Sequence, residues 1–382
     1  MSIPLEHLFK RCLSAGLRLA LGSAATETLD TRFAPGNSPR IFVIRQHNQL
    51  GDMLCVVPLL RALRLRYPES WISLLASPVN YEPMVGNRYV DEVIKFDKRE
   101  FVGREGGSLL HFPGYVRLLR KKRFDVAVVP STVSTSFTSD LLAFLSGARV
   151  RIGAGSIQGV PNPSAFFFTH PRDLDWRGLK DYHQARRNMD IWPDRFVKES
   201  DLTIELTLTE DELTKGKSFL QRLSGGAPRV IVYHPGAGKK PNQWPADLFA
   251  RLADELSGSL SAATVITSGP MDEEPVRGMA GALHRPFELI KNQPIRAVAS
   301  AIRFADLVVS NDTGIMHVAA AVGTPVLSLF GPTDPGEWAP TGERHRYIRG
   351  EDKDIGKIPF DAVLRTAKEM LSREHDGSTP GT

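Results

Sequence analysis

The densest run of chemically capable residues is Leu307-Val308-Val309-Ser310-Asn311-Asp312-Thr313-Gly314-Ile315-Met316-His317. Its apolar start reads as a strand ending near Ser310, and a helix is expected from about Thr313. The first turn of such a helix leaves backbone N–H groups without partners and carries the positive end of the dipole, so it can take an anion. Gly314 would let a phosphate approach the backbone closely, Thr313 could add a hydroxyl donor, and His317 lies one turn further on the same face. One helix end contributes only about 0.3–2 kcal/mol toward an anion, so several donors must converge. Asp312 and Thr313 are also good capping residues, but with Gly314 and His317 beside them a diphosphate site is the better reading.

Two further loops have related chemistry. Phe330-Gly331-Pro332-Thr333-Asp334-Pro335-Gly336 is a tight turn after another apolar run. His234-Pro235-Gly236-Ala237-Gly238-Lys239-Lys240-Pro241-Asn242-Gln243-Trp244-Pro245 follows a third. Backbone amides freed by Gly236 and Gly238 can cradle phosphate, with Ala237 between them and Lys239 and Lys240 adding charge. The spacing is not that of a Walker A loop, and a solvated basic loop is the plain alternative. In the first half, Ile44-Arg45-Gln46-His47-Asn48-Gln49-Leu50-Gly51-Asp52 also runs from a strand through a polar loop into a helix. Taken alone, its Gly-Asp would be a helix cap. Pro58 implies a kink or a late start in that helix.

The elements that must position these residues come in two cycles. Strands are expected at Ile41–Ile44, Trp71–Ala76, Glu92–Phe96 and Asp125–Val129, with helices through about Tyr67 and from Ser108 to Lys122. A second cycle places strands at Val230–His234, Thr264–Thr267, Leu307–Ser310 and Pro325–Phe330. Its helices run from Ala246 to Leu256, Met271 to Leu283 and Pro294 to Phe304, with another after Asp312. This alternation argues for parallel sheets with helices on both faces. A charged helix and a Ser224-Gly225-Gly226 break separate the cycles. Ligands of such sheets meet the carboxyl ends of the strands.

Together these motifs resemble glycosyltransferase family 9, whose best-known members are the lipopolysaccharide heptosyltransferases. The Asp-Thr-Gly-x-x-His box, the Gly-Pro-Thr-Asp-Pro turn and the His-Pro-Gly-Ala…Trp-Pro loop follow the family's order. The resemblance covers about residues 40–371 and implies an α/β GT-B fold, two Rossmann-like domains with parallel sheets facing a central cleft. It divides the chain into a helical N-terminal extension (1–40), an acceptor-side domain (41–200), a connection (201–228), a donor domain (229–371) and a disordered tail (372–382). It implies that Asp312, Thr313, Gly314 and His317 hold the donor diphosphate and sugar, and that Glu273 of Gly269-Pro270-Met271-Asp272-Glu273 reaches the adenosine ribose, with Glu274 as fallback. By position Asp52 inherits the role of general base, since inverting transfer needs a carboxylate to take the acceptor hydroxyl's proton. His47 is a second candidate acid or base. Arg45 and the cluster around Arg120 and Lys121 could bind acceptor phosphates, although a solvated helix face is the plainer reading of that cluster. Arg149–Gly153 and His183–Asn188 also resemble the family without an assigned role. One departure stands out: the lysine that many members place two residues before Trp-Pro is Asn242 here.

The expected activity is therefore metal- and cofactor-free, inverting transfer of heptose from ADP-heptose to a lipopolysaccharide core or related surface-glycan acceptor. Another nucleotide sugar, or a catalytically silent nucleotide- or glycan-binding protein, stays open as an alternative. Composition excludes other classes. With 382 residues the chain exceeds one compact core, and two cysteines, Cys12 and Cys55, cannot build a disulfide framework and fit a reducing, cytoplasmic setting. A net charge of +5 favours anionic partners, but no nucleic-acid module is recognisable. Arg18 interrupts the apolar segment Leu5–Ala25, which argues against export and leaves peripheral contact with the inner membrane as its other use. A nicotinamide-dinucleotide enzyme fares poorly, because no Gly-x-Gly-x-x-Gly follows the first strand.

Overall fold

The computed structural model describes residues 37–101, 108–193 and 201–376. The expected N-terminal helix and any membrane contact it would make lie outside these residues. The chain divides after Leu202 into two units.

The first unit runs β1 (Ile41–Arg45), α1 (Leu50–Leu54), α2 (Val57–Arg66), β2 (Ile72–Ala76), α3 (Pro78–Met84), β3 (Glu92–Lys95) and α4 (Phe112–Lys121). It continues with β4 (Val126–Val128), α5 (Phe137–Leu145), β5 (Val150–Ile157), β6 (Val160–Pro161), β7 (His170–Leu174) and α6 (Gln184–Met189). The sheet order is β3-β2-β1-β4-β5-β6, with β7 also paired to β5. All pairs are parallel except β5 with β6. Every residue of β1, β2 and β4 is buried, which is why they read as unbroken apolar runs. Phe42 and Phe124 stack at 4.4 Å beneath α4, whose Leu119 completes the same core. The helix expected through Tyr67 is two: Pro58 sits at the start of α2, where its missing N–H costs nothing. The helix expected from Ser108 begins as α only at Phe112, after one 3-10 turn.

The second unit begins with α7 (Glu210–Ser224), then β8 (Arg229–His234), α8 (Ala246–Leu260), β9 (Ala262–Ser268), α9 (Glu273–Ala282), β10 (Phe287–Lys291) and α10 (Ile295–Ile302). It ends with β11 (Leu307–Asn311), α11 (Gly314–Ala321), β12 (Val326–Phe330), α12 (Pro335–Trp338), β13 (His345–Arg349) and α13 (Phe360–Asp376). Its six strands are all parallel in the order β10-β9-β8-β11-β12-β13. The charged helix expected within the connection is α7. A Thr209/Glu212 capping box starts it, Gly225 ends it in the left-handed region, and Arg296 of α10 grips Glu212 at 2.6 Å. α13 carries Val363, Ala367, Met370 and Leu371 into the core formed by β8, β11, β12 and α8, so helix continues past Ser372, where the tail was expected to begin.

In both sheets the chain order reverses at the centre, between β1 and β4 and between β8 and β11. Such a reversal splays the two following loops apart and opens a crevice at the strands' carboxyl ends. The sequence motifs fall at these two points.

Candidate active site

In the second unit, the loops after β8, β11 and β12 emerge side by side because their strands are neighbours. Asn311, the last residue of β11, is fully buried. Its amide donates to the carbonyl of Pro235 at 2.8 Å and accepts from the backbone N–H of Trp244 at 3.1 Å. That one side chain fixes both ends of the glycine-rich loop. At Gly236 a Cβ would run into the carboxylate of Asp272, so a larger residue would require that side chain to move. Ala237 is buried and its carbonyl accepts from Gln243 at 3.0 Å, whereas Gly238, Lys239 and Lys240 are exposed. Lys240 lies 3.3 Å from Glu274.

Thr313 is the N-cap of α11 yet its side chain makes no capping hydrogen bond. Its hydroxyl is therefore not consumed by the helix, and the capping reading fails for it. Asp312 does not cap either: its carboxylate accepts from Asn242 Nδ2 at 3.0 Å, and the same amide reaches Thr333 Oγ1 at 3.4 Å. Burial pushes the Asp312 carboxyl above its ordinary range, opposed by the Thr333 hydroxyl and by the charge of Lys239. The position that departs from the family's lysine is thus occupied by a neutral donor seated on Asp312. Gly314 opens the first turn of α11, half-buried, and His317 is buried one turn on, its ring 6.2 Å from that of Trp338.

Glu273 and Glu274 are both exposed at the start of α9, at the same sheet edge. The residue between that edge and the glycine-rich loop is their neighbour Asp272, which the sequence reading passed over. It is buried, accepts from the N–H of Gly269 at 2.7 Å, and lies 3.7 Å from His234 Nε2. The expected helix from Met271 hid it, since the structure starts that helix at Glu273 and makes Asp272 its N-cap position. Its contact with Gly236 was not legible in the sequence.

In the first unit, the helix bearing Asp52 is capped by Gln49 without a side-chain bond, so Asp52 is not a cap. Its Oδ1 instead accepts from Arg45 NH2 at 2.5 Å. Arg45 is buried at the end of β1 and also donates from NH1 to the carbonyl of Pro130 at 2.8 Å, after β4. Burial raises the Asp52 carboxyl above its ordinary range, with Arg45 pulling the other way. Burial also lowers the half-buried His47 to about 4, helped by the charges of Arg45 and Lys98. With that shift the His47 ring carries no charge near pH 7.

Two expectations are corrected here. Arg45 is committed to Asp52 and Pro130 and has no charge to spare for an acceptor phosphate. Arg120 and Lys121 are exposed at the last turn of α4, next to the amino end of β4, and Arg40, ahead of β1, donates to the neighbouring Lys122 carbonyl at 2.7 Å. That is the opposite edge of the sheet from Asp52. The two unassigned stretches are structural: Arg149–Gly153 enters β5, and His183 caps α6, whose Asn188 donates to the Cys55 carbonyl at 3.2 Å, just beyond α1. Among the described residues no cluster of three His, Cys, Asp or Glu side chains is arranged for a metal ion, and no helix is long and apolar enough to cross a membrane.

Two parallel α/β sheets, each with its polar loops at the central reversal, define a GT-B fold. The family described as glycosyltransferase family 9 (heptosyltransferase) matches residues 115–357. The chain belongs to that family and is a glycosyltransferase. It is 27% identical over 331 residues to lipopolysaccharide heptosyltransferase 2 of Salmonella typhimurium, covering 78% of this chain and 85% of the relative. With lipopolysaccharide heptosyltransferase 3 of Escherichia coli it shares 23% over 356 residues, 85% of this chain and 96% of the relative. Among solved structures, a family 9 glycosyltransferase from Veillonella parvula superposes with a TM-score of 0.74 at 22% identity, covering 88% of this chain and 98% of that one. The E. coli ADP-heptose lipopolysaccharide heptosyltransferase II gives 0.73 at 23%, covering 88% and 99%.

Proposed function

We propose that the chain transfers heptose from ADP-heptose to a lipopolysaccharide core or related surface-glycan acceptor, by an inverting, metal-independent reaction with Asp52 as general base. The observation that carries the donor half is the uncommitted Thr313 hydroxyl at the N-terminus of α11, beside a glycine loop held open by Asn311 and flanked by Lys239 and Lys240. These are donors for a leaving diphosphate, preorganised before the charge develops. The E. coli heptosyltransferase WaaC has been solved with ADP and with ADP-2-deoxy-2-fluoro heptose, and this supports an adenine nucleotide as the carrier. Glu273, exposed at the carboxyl edge of β9, is the proposed ribose ligand.

On the acceptor side, Asp52 takes the proton of the attacking hydroxyl as that oxygen bonds to the anomeric carbon and the bond to ADP breaks on the opposite face. Arg45 orients the carboxylate and opposes the rise that burial imposes on it. The donor reading is tested by thermal stabilisation with ADP, UDP, GDP and ADP-heptose at matched concentrations. A ligand that binds only the folded state raises the melting temperature by mass action. ADP and ADP-heptose should each do so, with little response to UDP or GDP. A UDP- or GDP-selective shift would replace the donor, and no response to any of the four would leave a silent fold.

A further inference from the structure

The first unit's switch point has one side formed by Arg45, His47 and Asp52 and another formed by the loop between β4 and α5. That loop reads Pro130-Ser131-Thr132-Val133-Ser134-Thr135-Ser136, five hydroxyl side chains in seven residues. The two sides are tied together. Arg45 reaches the Pro130 carbonyl, and Gln46 Nε2 donates to Ser136 Oγ at 2.9 Å. Behind His47, Asn80 donates to the carbonyls of His47 and Gln49 and holds the first side in place.

Four buried polar atoms on these elements have no hydrogen-bond partner within the protein: Arg45 Nε, Asn80 Oδ1, Thr132 Oγ1 and Ser139 Oγ. Buried polar atoms left unmatched are uncommon and costly, so these four are places where a further hydrogen-bonding group is called for. Ser134 is exposed, and Thr135, Ser136 and His47 are half-buried, so hydroxyls and a neutral ring are presented at the surface of the same crevice.

The charges present are already matched. Arg45 is paired with Asp52 at 2.5 Å, His47 is neutral at physiological pH, and Arg120 and Lys121 stand at the far edge of the sheet. Lys98 is close enough to lower His47 but is itself exposed, at the rim. Among the described residues the buried cation at this crevice is Arg45, already paired with Asp52, so a phosphate or carboxylate on the reacting ring would lie beside an acid whose counter-charge is taken. A ring bearing only hydroxyls meets alternating donors and acceptors.

We infer that the Ser131–Ser136 loop and His47 form the acceptor subsite, and that the sugar ring seated there is uncharged and hydroxyl-rich, any anionic groups of the acceptor lying elsewhere along it. The inference rests on the proposed transfer with Asp52 as base. It is tested with three synthetic acceptors: a neutral heptoside, the same heptoside carrying a phosphate on the reacting ring, and a hexuronic acid glycoside. Transfer from ADP-heptose is followed for each, and binding of ADP-heptose to the same preparations is measured by calorimetry. The neutral heptoside should be used at least about tenfold better in kcat/KM than either anion. The double variant Ser134→Ala/Thr135→Val should raise the neutral acceptor's KM by about 3- to 10-fold, as the loss of one or two hydrogen bonds implies, while donor affinity is unchanged. Preference for an anionic acceptor with the donor bound, or an unchanged acceptor KM in the double variant, would overturn this inference alone. Failure of the wild-type chain to bind ADP-heptose would overturn the proposed transfer and this inference with it.

Discussion

The two sheets share a strand order around their centres, yet their switch points are furnished in opposite ways. In each, one buried side chain at the end of a central strand ties the two diverging loops together. In the second unit that residue is neutral, Asn311, and what it holds is backbone: the Pro235 carbonyl and the Trp244 N–H. In the first it is charged, Arg45, and what it holds is a backbone carbonyl and the Asp52 carboxylate. On the proposed function, the neutral clamp leaves Lys239 and the uncapped Thr313 hydroxyl for an anion, with Lys240 beside Glu274 at 3.3 Å. The charged clamp spends its cation on the base and leaves hydroxyls facing outward. On the proposed function, one scaffold supplies a phosphate grip and a proton acceptor by changing which side chain closes the crevice.

The largest expected effect breaks the charged clamp. Asp52→Ala should lower kcat by about 10²–10⁴, the usual contribution of a positioned base, with ADP-heptose affinity unchanged because the donor grip belongs to the other sheet. Undiminished transfer would remove Asp52 from the mechanism. Because burial places the Asp52 carboxyl above its ordinary range, turnover should fall as pH drops through that raised value, where the base takes up a proton. Arg45→Met removes the charge that opposes burial, so the acidic limb of the kcat profile should move to higher pH. A limb that stays in place would show that Arg45 positions the carboxylate without tuning it.

Breaking the neutral clamp should cost less turnover and more binding. Asn311→Ala strands the Trp244 N–H and the Pro235 carbonyl, and an unmade buried hydrogen bond costs about 1–3 kcal/mol. The expected outcome is a lower melting temperature and weaker ADP binding, with a kcat reduced less than in Asp52→Ala. A variant that binds ADP normally would show that the glycine-rich loop holds its shape without the clamp.

These clamps also mark where sequence reading ran out. The central strands were legible because both of their faces are buried, so they appear as apolar runs. The edge strands were not: β10 is Phe-Glu-Leu-Ile-Lys with one buried side chain, and β13 is His-Arg-Tyr-Ile-Arg with none. Val150–Ile157 hides its strand behind an arginine and two glycines. Candidate residues next to a local signal could be named from the sequence: Asp52 after Gly51, Thr313 before Gly314, and the lysines in the glycine loop. Those defined by a partner far along the chain were missed or misassigned. Arg45 was given to phosphates because its partner at Pro130 is 85 residues away. Asn311 was left after the strand with no role because its partners at Pro235 and Trp244 lie 76 and 67 residues back. Asp272 was overlooked because Gly236, the residue it blocks, belongs to another loop.

The smallest effect sharpens the comparison from behind the hydroxyl loop. Asp140, in the first turn of α5, is buried and accepts from Ser164 Oγ and from Asn162 Nδ2 at 2.9 Å. Burial outweighs those two bonds and pushes its carboxyl up to about 7. Between the ordinary carboxylate range and that value, the unfolded chain has already released a proton that the folded chain keeps. Stability therefore falls as pH rises through that window, and above about 7 the full penalty applies. Asp140→Asn keeps an oxygen to accept both bonds and carries no charge, so it should raise the melting temperature by a few degrees at pH 8 and leave it nearly unchanged at pH 4. An equal gain at both values would trace the effect to packing, and a loss at pH 8 would mean that the ionised form is held by something other than Ser164 and Asn162. If the pH dependence appears, the carboxyl behind the hydroxyl loop keeps its proton in mildly acidic solution. The first unit's crevice is then backed by a neutral group on that side.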